Sequence, residues 1–283
     1  MILVTGAAGK TGRAVIHALA RRGKSVRAMV RRAEQAPSLE ATGAAEVVLG
    51  DMLDESAVKR AVDGVQAIYH IAPNVSPHEV TIGGLVIEAA KSAGVEHFVF
   101  HSVLHPQVEA MPHHWLKMRV EELLFASGLS FTILQPCAYM QNVLAYLDDI
   151  RERGVYAVPY PPQARLSLID LEDLAEAAAI VLTEPEWRDA TLELVGTPGL
   201  SQQEIARTIG GQLSRPVEAV FIPIETWQAD ARSAGLGEYQ IETLSKMFAY
   251  YAQHGLVGNP RVLGFLLRRR PTTFEEFVRK SIV

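Results

Sequence analysis

Along the first half of the chain, short apolar runs alternate with longer stretches in which apolar residues return every three or four positions. The runs Ile2 to Val4, Ser25 to Val30, Glu46 to Leu49, Ala67 to Ile71, His97 to His101 and Ser130 to Leu134 have the length and β-branched content of buried strands. Between and after them, the spacing predicts helices over Lys10 to Arg22, Glu55 to Val62, Glu79 to Ser92, Pro112 to Ser127 and Tyr139 to Arg153. This alternation predicts an α/β fold with a doubly wound parallel sheet of the Rossmann type. Right-handed crossovers restrict the strand order but leave it open.

After about residue 154 the pattern changes to a proline- and tyrosine-rich stretch. A short strand over Arg165 to Ile169 follows, then an alanine-rich helix that Asp170 is placed to cap. Ser201 and Glu204 have capping-box spacing for a helix over 201–210. A strand in "VEAVFI", helices over 225–234 and 237–253 and a basic "LLRRRPTTFEEFV" end complete the chain. The expected organisation is a dinucleotide-binding domain over 1–154. A smaller mixed α/β lobe over 155–283, with some segments returning to the first domain, would lie at the carboxyl edge of the sheet, where doubly wound proteins bind ligands.

Composition narrows the class. The 283 residues are 48% hydrophobic and 21% charged, which suits a globular protein with a sizeable core. With Lys+Arg 27 against Asp+Glu 32 and a net charge of -5, no basic field marks a nucleic-acid or membrane-surface partner. No apolar stretch approaches the about 20 residues of a membrane span. A start in strand-like "MILVTG" and the single cysteine, Cys137, lead us to expect a cytoplasmic protein with no leader segment. Cys137 reads as a small buried residue, with a nucleophile as its alternative.

The candidate chemistry begins at "VTGAAGKTG". Gly6 turns the chain out of the first strand, Gly9 brings the backbone close to a phosphate, and Gly12 lets the helix lie against the sheet. Lys10 and Thr11 lie between them at the helix N-terminus, which favours a pyrophosphate. Gly9-Lys10-Thr11 also resembles the end of a Walker loop, but that loop requires a glycine where Val4 stands. At the end of the second strand, where NAD-binding chains carry an acidic residue, this chain has Arg31 and Arg32. Their guanidinium groups suit the 2'-phosphate of NADP(H). Asp51, after the third strand, is placed either near an adenine amino group or in a turn.

With "VTGAAGKTG", "MVRR", "LGDMLD", "HFVFHS", "HHWLKMRVEELLFASGLSFTILQP" and "RRRPTTFEEFV" assembled, the chain resembles the NmrA-like family of atypical short-chain dehydrogenase/reductases, related to isoflavone reductases and phenylcoumaran benzylic ether reductases. The resemblance implies that Gly6, Gly9, Lys10, Thr11 and Gly12 surround the pyrophosphate. It further implies that Arg31 meets the 2'-phosphate, Asp51 lies near adenine, Ala72 and Pro73 line the ribose and Lys117 reaches the nicotinamide ribose. Ser102 matches the family's serine position.

The tyrosine that typical short-chain dehydrogenases place four residues before the lysine is His113 here. Either Lys117 is the proton donor with His113 auxiliary, or His113 takes the tyrosine's place, or both His113 and His114 are ordinary first-turn residues. Tyr139 offers a further phenol. His97, His101, His105, His113 and His114 crowd one stretch, yet their spacing supplies no set of three or four convergent donors, so no metal is expected. Trp115, Cys137, Ala138 and Met140 suggest an apolar wall and Gln141 and Asn142 a polar anchor, suited to a small apolar or aromatic substrate.

Two functions follow. One is an NADPH-dependent reductase of carbonyl, quinone or conjugated acceptors; the other is a non-enzymatic NADP(H)-binding regulator with a protein partner. The helices over 77–94 and 112–127 offer a possible homodimer face.

Overall fold

The computed structural model describes residues 1–282. Strands β1 (Ile2–Val4), β4 (Ala67–His70) and β5 (His97–His101) are buried at every position, as strands covered on both faces must be. With β2 (Val26–Val30), β3 (Glu46–Leu49) and β6 (Phe131–Pro136) they form one sheet in the order β3-β2-β1-β4-β5-β6, each of these pairs parallel. Ile2 is in register with Val26 on one side and Ala67 on the other, so the strand order reverses at β1. That reversal opens a crevice at the carboxyl ends of β1 and β4. A seventh strand, Ala190–Leu194, adds to the sheet beside β6. Its half-exposed residues carry little strand signal, and the sequence pattern had not marked it.

Helix α1 (Lys10–Arg21) buries Val15, Ile16 and Leu19 and leaves His17 in solvent, the stripe its spacing predicts. A single 3-10 turn (Ala33–Gln35) and the short α2 (Ala36–Glu40), both absent from the sequence reading, follow β2. Asp54 caps α3 (Glu55–Val62) by accepting from the Ser56 amide at 2.9 Å. α4 (Glu79–Ser92) and α5 (Pro112–Phe125) start where expected. Val58 and Val62 of α3, Val86 and Ala90 of α4, and Val120 and Leu124 of α5 pack with Ile68, Phe98 and Phe100 of the sheet into one core. Burying a side chain of this size contributes about 1.5–3 kcal/mol, so this cluster sets the position of the sheet ends.

Two compact units are present. The first comprises Met1–Gln107, His114–Gln135 and Leu174–Leu192, and the second Val108–His113, Pro136–Asp173 and Glu193–Val283. In the second unit, the expected helix over Tyr139 to Arg153 is replaced by three elements. Ala138–Tyr139 pairs with Leu168–Ile169 as a strand, Met140–Tyr146 is 3-10, and only α6 (Leu147–Arg153) is α-helical. Gln141 holds the break: its amide donates to Asp170 at 2.8 Å and its carbonyl oxygen accepts from the Leu171 amide.

Asp170 caps α7 (Leu171–Thr183) through the Glu172 amide, and Ser201 and Glu204 form the expected capping box of α8 (Gln202–Leu213). "VEAVFI" supplies the strand Glu218–Phe221, parallel to Val155–Val158. α9 (Ile224–Ser233) and α10 (Glu238–His254) follow. The basic end holds two unforeseen helices, α11 (Arg261–Leu267) and α12 (Phe274–Ser281). Among the described residues, no helix is long and apolar enough to cross a membrane.

Candidate functional site

The glycine turn is built from backbone alone. Gly6 has φ +57, a left-handed conformation, and a Cβ there would lie 2.8 Å from the Ile71 carbonyl oxygen. At Gly12 a Cβ would lie 2.5 Å from the Gly6 oxygen and 2.7 Å from the Ala7 Cα, so α1 can approach the turn only with glycine there. The Gly9 amide closes the turn on the Gly6 oxygen at 3.0 Å, and Arg13 Nε braces it on the Ala8 carbonyl. Gly9 gives α1 no side-chain cap and the first turn carries no acidic residue, so its amides and dipole face outward for an anion. Gly9 and Lys10 are exposed, while Thr11 is buried.

Thr5, at the end of β1, ties the turn to β4. Its hydroxyl accepts from the Ile71 amide at 2.9 Å, donates to the Ile71 carbonyl and lies 2.9 Å from His70 Nδ1. Burial and the Lys117 charge hold His70 down to about 3, so the imidazole is neutral. Beyond it Ala72 is buried and Pro73 half-buried. Arg31 and Arg32 follow β2, both exposed, with Arg32 Nε 3.5 Å from Glu34. The exposed Asp51 accepts from the Leu53 amide at 2.9 Å, which is the turn contact its residue type allows. Gly6, Gly9, Lys10, Thr11, Gly12, Arg31, Arg32, Asp51, Ala72 and Pro73 therefore all lie in the first unit, on the turns that follow β1 to β4 and the first residues of α1.

At the end of β5, the chain brings together polar groups that the sheet and α5 bury. Lys117 Nζ donates to Glu79 Oε1 at 2.9 Å and to the His101 carbonyl at 3.1 Å, and lies 5.4 Å from the Phe100 ring centroid. One helical turn later, Glu121 accepts from the Ser102 hydroxyl and, through both carboxylate oxygens, from Gln135 Nε2 at 3.0 and 3.1 Å. Lys117 and Glu121 thus pin α5 to the end of β5 at the adjacent residues His101 and Ser102. Burial raises the Glu121 carboxyl above its usual value, opposed by its hydrogen bonds from Ser102 and Gln135 and by the Lys117 charge. His101 Nδ1 is 2.8 Å from the Tyr69 hydroxyl, and burial holds this imidazole at about 3.

The remaining candidates are placed separately. His114 is buried with Nδ1 2.9 Å from the Leu104 carbonyl, and His97 Nε2 is 2.9 Å from the Thr132 hydroxyl. The crowded histidines therefore have different partners, and among the described residues no group of three or more His, Cys, Asp or Glu is placed to hold a metal ion. His113 is half-buried at the second position of α5 and belongs to the second unit. Tyr139, also in the second unit, is half-buried on the wall of a 40 Å³ cavity shared with Met140, Tyr156, Tyr160 and Gln202. Burial pushes the Cys137 thiol up to about 12, which removes it as a nucleophile at neutral pH.

A model of the NmrA-like family matches residues 1–278. The chain belongs to the NmrA-like family. Within reach of this membership, the chain is 30% identical to an NAD(P)H azoreductase of Xenophilus azovorans, over 99% of this chain and 97% of that one. It is 27% identical to the NADPH-dependent quinone oxidoreductase of Escherichia coli solved with NADPH, with a TM-score of 0.87 and 99% of each chain covered. NmrA itself, a negative transcriptional regulator solved with NADP, shares the fold at a TM-score of 0.83 and 19% identity, over 99% of this chain and 94% of that one. The chains that this one resembles in sequence or fold thus include two named as reductases and one named as a regulator.

Glu79, Glu121 and Gln135 were not singled out from sequence. A signal was present in α5: His114, Lys117 and Glu121, spaced three and four apart, put polar side chains on the same face as Val120 and Leu124.

Proposed function

We propose that this chain is an NADPH-dependent reductase of quinone, azo or other conjugated aromatic acceptors. The observation that carries the reading is the presence, in one unit, of an uncapped glycine cradle at the end of β1 and a buried ammonium, Lys117, at the end of β5, two strands of one parallel sheet with β4 between them. The names of the azoreductase and quinone oxidoreductase relatives support the same chemistry.

The residues fit the dinucleotide. Gly6, Gly9, Lys10, Thr11 and Gly12 would hold the pyrophosphate, Arg31 and Arg32 the 2'-phosphate, Asp51 the adenine, and Ala72, Pro73 and Lys117 the nicotinamide half. Bound there, the reduced nicotinamide supplies a hydride. Lys117 gives the proton: its N–H bond breaks as an O–H or N–H bond forms on the acceptor, and the amine recovers a proton from water. Ser102, whose hydroxyl donates to Glu121, orders α5 against β5. His113 and Tyr139 are auxiliary groups in this reading.

The test is NADPH oxidation by the purified protein with 1,4-naphthoquinone and an azo dye, in the native chain and in Lys117→Met. Turnover that falls by about 100-fold or more in the variant is expected. Native rates in Lys117→Met would remove Lys117 as the proton donor. One observation favours a second reading: Lys117 is 5% exposed and already engaged inward, and no tyrosine stands four residues before it. A regulator that only binds NADP(H) and reports to a protein partner tolerates that arrangement, and tight NADPH binding with no turnover would select it.

A further inference from the structure

Lys117 is the charge in the first unit whose burial most needs an explanation. A lone ammonium this far from water is costly, and the groups around it offer little compensation. His70 on β4, His101 on β5 and His114 on α5 are neutral imidazoles, and Glu121, one turn further along α5, is held by Ser102 and Gln135. The carboxylate in contact is Glu79, the first residue of α4, 1% exposed, with Oε1 2.9 Å from Nζ.

The way this pair is bonded is uneven. Two Lys117 N–H groups go to Glu79 Oε1 and the His101 carbonyl; the third has no hydrogen-bond acceptor among the described residues. Glu79 Oε2 is buried with no donor. A pair retained only for stability would satisfy both ends, since a dry acceptor costs about 1–3 kcal/mol. The position of Glu79 also follows from the fold: it is an acidic residue in the first turn of α4, where the positive end of the helix dipole favours a negative charge.

We propose that Glu79 is a positioning residue for Lys117, holding the ammonium charged at the carboxyl end of β5 with one N–H left to give. The proposal rests on the reading of Lys117 as the proton donor.

The experiment is a double-mutant cycle on the full chain with Glu79→Gln, Lys117→Met and the pair, together with Glu79→Asp, assayed with NADPH and 1,4-naphthoquinone. In Glu79→Gln, kcat should fall about tenfold with KM for the quinone little changed, and the alkaline limb of the kcat profile should move to lower pH. Glu79→Asp should recover part of the loss, and the double variant should be no slower than Lys117→Met alone. In the cofactor-free protein, each single variant should lower the melting temperature, and the double variant should recover part of it. Native kcat and an unmoved alkaline limb in Glu79→Gln overturn the proposal even if its melting temperature drops. So do losses that multiply in the double variant, or an absence of coupling in the cofactor-free melts. Loss in Lys117→Met with none in Glu79→Gln overturns only the role of Glu79, whereas native turnover in Lys117→Met overturns the proton-donor reading together with it.

Discussion

Gln135 Nε2 donates to both carboxylate oxygens of Glu121, and the Ser102 hydroxyl donates to one of the same oxygens. All three side chains are buried. The Ser102 hydroxyl, at the family's serine position, therefore has its proton committed to a carboxylate inside the unit. Ser102→Ala removes one of three hydrogen bonds to a buried carboxylate and should lower stability by about 1–3 kcal/mol, read from urea denaturation. Turnover should fall by less than about tenfold, because the variant leaves Lys117 and its partners in place. A collapse of turnover at unchanged stability would show Ser102 acting directly on substrate.

The glycine turn gives a sharper expectation. Gly12→Ala places a Cβ 2.5 Å from one backbone oxygen and 2.7 Å from a backbone carbon, neither of which can move without displacing α1 or the turn. NADPH binding, followed by its fluorescence, should be lost and the protein destabilised by about 1–3 kcal/mol. Gly23→Ala is the control. That position is left-handed, at φ +68, and open, so it carries the conformational cost of about 1 kcal/mol without loss of binding.

Arg31 stands exposed after β2, and no ion pair joins it among the described residues. Its guanidinium is available to a 2'-phosphate, and a charge-assisted bond of that kind contributes about 1.5–3 kcal/mol. Arg31→Ala should weaken NADPH binding by about 10- to 100-fold and leave NADH binding nearly unchanged, measured side by side by fluorescence titration. Equal weakening of both would show that Arg31 acts on the fold or on a part common to the two dinucleotides.

What was legible in the sequence follows from periodicity. Ile2-Leu3-Val4, His97 to His101 and the Val15-Ile16-Leu19 stripe carry their burial in their spacing, and the glycines carry theirs in their lack of a side chain. The strand Ala190–Leu194 was missed because its exposed Thr191 and half-buried Leu192 and Glu193 do not alternate as a buried strand would. In the candidate site, Lys117 and Ser102 were visible as residue types at a recognisable spacing, whereas Glu79 and Glu121 were not singled out, although Glu121 shares the buried face of α5 with Val120 and Leu124. The meeting of α4, α5 and the end of β5 brings them together, and that meeting is a tertiary fact. Tyr139 was misplaced in a helix because the pairing of Ala138–Tyr139 with Leu168–Ile169 joins segments 30 residues apart.

Cys137 is expected to be inert. Its thiol is buried and raised to about 12, so at pH 8 almost none is thiolate. Iodoacetamide should label the native protein at least about 100-fold more slowly than the urea-unfolded chain, and Cys137→Ser should keep its turnover. Rapid labelling of the native protein at one equivalent would show that the second unit opens around this residue.

Four buried imidazoles make stability depend on pH in a definite direction. Burial holds His70 and His101 at about 3 and His97 and His114 at about 4, while in the unfolded chain each titrates near the ordinary imidazole value of about 6.5. Above 6.5 both states are neutral and this contribution to stability is fully present. As pH falls below 6.5 the unfolded chain takes up protons that the folded one cannot, and the contribution declines until the folded values near 3 to 4 are reached. Between pH 6.5 and 5.5 the loss is about 1 kcal/mol for each imidazole. Glu121 acts with the opposite sign: burial raises its carboxyl above 4.5, so its ionised form costs stability at neutral pH and protonation relieves that cost. One carboxyl does not offset four imidazoles, so the urea midpoint should drop steadily from pH 7 to pH 5. The substitution His97→Gln, which keeps a polar partner for Thr132 but cannot be protonated, should flatten part of that slope. A midpoint that stays level or rises over this range would mean that the histidines are hydrated, and charged, in the folded protein.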